Sequence, residues 1–86
     1  MANEGRVIIK FKDIVIDSPR KEIAEVFETP DGINFHFVGG SFFAYNNQYL
    51  PSEVKQQVKR VVDSFANAKV TVDLNNLKQP VSVDMG

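Results

Sequence analysis

Residues 21–38 read KEIAEVFETPDGINFHFV, and the fold class turns on this stretch. In its middle stands Thr29-Pro30-Asp31-Gly32, which is strong turn chemistry. Proline pre-sets φ at the second position of a turn, and glycine at the fourth accepts a positive φ. Downstream, Ile33, Phe35 and Phe37 alternate with Asn34, His36 and Val38, the period of a strand. The upstream segment has two readings. Ser18 followed by Pro19 is a fair helix start, and it would put Ile23, Val26 and Phe27 on one helical face. The turn favours the other reading, in which residues 20–28 form a strand and a hairpin with residues 33–38.

Toward the N-terminus, residues 6–17 (RVIIKFKDIVID) carry an apolar alternation that slips. Val7, Ile9 and Phe11 share one parity; Ile14 and Ile16 share the other. A slip of one residue flips faces unless the backbone absorbs it. A bulge or tight bend is therefore expected at Lys12-Asp13, with two short strands joined by a turn as the alternative. Toward the C-terminus, Gly39-Gly40-Ser41 reads as a second turn. The segment Phe42-Phe43-Ala44-Tyr45 is then apolar at every position. A strand without a polar parity has both faces covered, or one face waiting for a partner.

Pro51 begins the single helix, expected over about 51–67. Val54, Val58, Val61, Val62, Phe65 and Ala68 form an apolar stripe at the helical period. Lys55, Gln56, Gln57, Lys59, Arg60 and Asp63 make the outer face, and Asn67 suits the end. Residues 70–74 and 81–84 then form a C-terminal hairpin, with Pro80 marking its second strand as an edge.

Valine and isoleucine total 18 against three leucines, a choice that suits pleated surfaces. The fold class is α+β in one domain, 1–86. It is expected to be an antiparallel sheet of five or six strands, meander first, with the helix on one face and the C-terminal hairpin last. A helix of this length is ~25 Å long and ~10 Å wide. Six strands span about 24–29 Å. One helix cannot cover such a sheet, so the sheet curls or a second copy covers it. Self-association is the favoured outcome, since obligate interfaces resemble a divided core. Phe42, Phe43, Tyr45 and Tyr49 are the candidate interface, although Phe42 and Phe43 also read as core.

Composition narrows the functional classes. There is no cysteine, hence no disulfide, zinc–thiolate site or thiol nucleophile. Ten basic residues against eleven acidic ones give a net charge of −1, without the basic excess typical of nucleic-acid binders. A polar, acidic start and the lack of a long apolar run argue for a cytoplasmic protein. His36 is the only imidazole, and no neighbour in sequence orients it as a general base. Asp13 and Asp17 would lie ~13 Å apart on a straight strand, too far to share an ion. Gly39-Gly40 leads into a strand rather than a helix, unlike a phosphate cradle. No catalytic residue, cofactor or metal is expected.

The leading reading is a small non-enzymatic protein-interaction module acting as a homo-oligomer. One alternative is sequence-independent nucleic-acid binding, through Lys55, Lys59 and Arg60 with the sheet aromatics. The other is a ligand-binding or enzymatic pocket near His36.

Overall fold

The parity slip at Lys12-Asp13 is a reversal of the chain. In the computed structural model, which describes residues 5–84, strands β1 (Arg6–Phe11) and β2 (Ile14–Pro19) pair antiparallel with Phe11 opposite Ile14. Residues of opposite numerical parity thus share a face: Val7, Ile9 and Phe11 stand beside Ser18, Ile16 and Ile14. Lys12 takes a left-handed backbone (φ 55°) at the first turn position. Its N–H donates to Asn75 Oδ1 at 2.8 Å, fastening the turn to the far hairpin. The ends of the expected domain, residues 1–4 and 85–86, lie outside the described residues.

The ambiguous segment divides. Arg20–Glu22 makes one 3-10 turn, and Ile23–Thr29 runs on as strand β3. The expected hairpin forms with β4 (Gly32–Phe37), Thr29 opposite Gly32, and the register shifts at Ala24. Gly32 is needed for a reason other than φ. A Cβ there would collide with the Tyr45 carbonyl oxygen of strand β5 (Phe42–Asn46). The positive φ belongs instead to Gly40 (93°), in the turn between β4 and β5.

The main correction is the sheet itself. Seven strands form two sheets rather than one. One has the order β2-β1-β6-β7, with β6 spanning Lys69–Asp73 and β7 Val81–Asp84; the other is β3-β4-β5. The first is not wholly antiparallel. β1 and β6 run parallel, with Val7 opposite Val70 and Ile9 opposite Val72. The C-terminal hairpin forms as expected, and β7 is an edge. Inner residues of both sheets enter one core: Val7, Ile9, Val70 and Val72 from the first, Val26, Ile33 and Phe35 from the second.

Helix α1 (Ser52–Ser64) is shorter than expected at both ends. The Pro51 carbonyl accepts from the N–H groups of Val54 and Lys55, so Pro51 precedes the first turn. Phe65 leaves helical geometry (φ −111°, ψ 64°), and the helix stops before Asn67. Val58 and Val62 are buried as the stripe requires, and the helix packs against β3, β6 and β7. Arg20 ties its C-terminal end down: Nε donates to Val62 O at 2.9 Å and Nη1 to Ile23 O at 3.0 Å. A cation suits that end of the dipole. The two sheets and the helix cover one another, so the geometric surplus that argued for a second copy is absorbed within the chain.

Candidate functional site

The three-stranded sheet turns one face to the core and one outward. β4 is central, and strand alternation sends Ile33 and Phe35 inward while Asn34 and His36 face out. Cross-strand register aligns Glu25, His36 and Phe42 in one row and Phe27, Asn34 and Ala44 in the next. The outward rings form a chain across all three strands, Phe27 diagonal to His36 and His36 directly opposite Phe42. Phe27 and His36 have centroids 4.6 Å apart, and His36 and Phe42 have centroids 5.6 Å apart. Phe42 is 64% exposed.

The four interface candidates from the sequence are split by this alternation. Phe42 stands on the outer face, and Tyr49 is 81% exposed in the loop after β5. Phe43 is half-buried against Phe35, and Tyr45 is buried with its ring 5.1 Å from Phe11. The Tyr45 hydroxyl accepts from Asn47 Nδ2 at 3.0 Å. Within the protomer, Phe43 and Tyr45 therefore lie on the core side of the strand. Phe27 and His36 take their place beside Phe42. Their signal was the parity opposite Val26 and Phe35, hidden for Phe27 by the helix-or-strand ambiguity upstream.

The three basic candidates are separated too. Lys55 is buried, and its Nζ donates to Thr29 O at 2.8 Å. Lys59 Nζ donates to Val26 O at 2.8 Å and pairs with Asp63 at 3.3 Å. Arg60 alone of the three is exposed. The expected outer helix face thus loses Lys55 and half of Lys59 to the edge of β3.

The edges of the sheet differ in their backbone. Phe37 N–H donates to Ser41 O at 2.9 Å and Asn47 N–H to Asp31 O at 2.6 Å, bracketing the β4–β5 ladder. Hydrogen-bonded pairs alternate in an antiparallel ladder, so Phe35–Phe43 and Ile33–Tyr45 are the bonded ones. Phe42, Ala44 and Asn46 therefore turn their N–H and C=O groups away from β4. By the same alternation Val26 turns its carbonyl away on the β3 side, where Lys59 takes it.

Among the described residues no group of three or more His, Asp or Glu side chains is placed to hold a metal ion. No helix there is long and apolar enough to cross a membrane. Comparison of the chain with protein families, with curated proteins and with solved structures finds no match.

Proposed function

We propose that this chain is a non-enzymatic protein-interaction module that associates with itself through the three-stranded sheet. One observation carries the reading: the contiguous Phe27–His36–Phe42 patch on the outer face, half-buried at Phe27 and His36 and exposed at Phe42, although the core is already closed. Aromatic side chains are enriched at interface centres, where burial of a large rigid ring contributes most. A net charge of −1 gives two copies little reason to repel. Lys55 and Lys59 hold backbone carbonyls, so of the three basic residues expected on the helix face only Arg60 is left exposed for a nucleic-acid backbone.

The test is absolute mass in solution, by light scattering on a sizing column, for the wild type and Phe42→Asp. The wild type is expected near twice 9.7 kDa at submillimolar concentration, and the variant near one chain with unchanged circular dichroism. A wild type that elutes as one chain at both low and high salt would refute self-association.

A further inference from the structure

Among the described residues β5 is an open edge, whereas the other sheet edges carry some protection. Native edge strands are blunted by charges, proline, bulges or a covering element. On the opposite side of the same sheet, β3 has a register shift at Ala24 and two helix lysines on its carbonyls. In the four-stranded sheet, β2 carries Asp17 and ends at Pro19, while β7 follows Pro80 and carries Asp84. β5 has none of these: residues 42–46 read FFAYN, uncharged, without proline and in continuous register with β4.

We infer that two copies join edge to edge through β5, antiparallel about a two-fold axis at Ala44, so that two three-stranded sheets run on as one of six. This rests on the self-association reading and narrows its contact to the β5 edge, which takes in Phe42 of the aromatic patch and leaves Phe27 and His36 on the outer face. The backbone sets the register. The outward-facing groups belong to Phe42, Ala44 and Asn46. One antiparallel pairing uses all three: Ala44 opposite Ala44 of the second copy, and Phe42 opposite its Asn46. That gives about six N–H···O bonds.

The same register places Phe43 opposite Tyr45 of the second copy in the closer, non-bonded pair. Aromatic cross-strand pairs of this kind are favourable. No charged residue meets its own image, as happens when a charged residue lies on a two-fold. The small Ala44 side chains at the axis leave the backbones free to approach, and the outer aromatic rows of both copies fall on one continuous face. A short strand pairing lies at the small end of interface sizes, so the dimer is expected to be concentration-dependent.

Two variants separate this geometry from self-association in general. Ala44→Pro removes an N–H that has no ladder partner within the protomer, and proline is tolerated at such edge positions. It is expected to fold with wild-type circular dichroism and elute as one chain. Ala44→Lys keeps the N–H and sets two ammonium groups against each other at the axis. It is expected to weaken association about tenfold or more at low salt, with partial recovery at high salt.

A two-chain wild type with both variants single-chained supports the pairing. A two-chain wild type whose variants both stay two-chained overturns edge pairing and leaves self-association standing. If Ala44→Pro fails to fold, Ala44→Lys decides between these. A single-chain wild type overturns both readings and leaves the open edge to an extended segment of another protein.

Discussion

β3 and β5 are the two edges of one small sheet, and they are finished in opposite ways. Along β3, ammonium groups from Lys55 and Lys59 reach down from α1 and take the Thr29 and Val26 carbonyls. Along β5, the outward carbonyls and N–H groups of an uncharged strand meet nothing among the described residues. A closed edge is spent on holding the fold together. An open one keeps its hydrogen-bonding capacity for a neighbour. The difference places a stabilising role on one side of the sheet and, under the proposed function, leaves the other side for interaction.

The largest expected effect lies behind β5 rather than on it. Tyr45→Asp buries a carboxylate beside Phe11 and removes a core ring, at a cost of about 3–5 kcal/mol. That is much of the stability of a small domain. The variant is expected to unfold at low urea, whereas a Tyr45→Asp protein as stable as the wild type would mean that the Tyr45 ring contributes little to the core. Gly32→Ala comes next. Its methyl would meet the Tyr45 carbonyl and push β5 off β4. A loss of about 2–3 kcal/mol is expected in denaturant titration.

Lys55→Met tests the closed edge, since it leaves the Thr29 carbonyl without its charged donor at about 1–3 kcal/mol. Paired with Lys59→Met, which frees the outward Val26 carbonyl, it opens a second edge on the sheet. Light scattering is then expected to show assemblies larger than two chains, because each copy offers two pairing edges. A double variant that stays at two chains would mean the lysines do not guard β3. The smallest effect on stability belongs to Phe42→Asp, within ~0.5 kcal/mol for an exposed position, although the proposed function expects it to break association. A large loss of stability in this variant would place Phe42 in the core and erase the contrast between the two faces.

Local chemistry was legible in the sequence wherever neighbours along the chain decide the outcome. The Thr29-Pro30-Asp31-Gly32 turn fixed the β3–β4 hairpin, and the valine stripe of α1 fixed which side of the helix is buried. What escaped depends on distant partners. Alternation tells which residues of a strand share a face, yet it is silent on which strand lies alongside. The parallel β1–β6 pairing joins segments about sixty residues apart, and it converts one expected sheet into two.

Lys55 was hidden for a similar reason. Helical periodicity put it at the margin of the polar face, and only the position of β3 shows that its ammonium reaches a carbonyl. The aromatic site was half legible. The unbroken apolar run 42–45 marked β5 as unusual, but its two parities go to different places, Phe42 to the surface and Tyr45 to the core. Phe27 and His36 joined Phe42 only once the register of three strands was known.

Amide hydrogen exchange along residues 42–46, followed residue by residue by NMR on the concentrated wild type, tests the open edge most directly. Within one protomer, Phe43 and Tyr45 donate to β4 while Phe42, Ala44 and Asn46 point away, so protection alternates. Edge pairing about Ala44 is expected to protect all five amides, with the alternation returning on dilution. Alternating protection that persists at concentrations where the mass is two chains would contradict it, and would move the contact off β5.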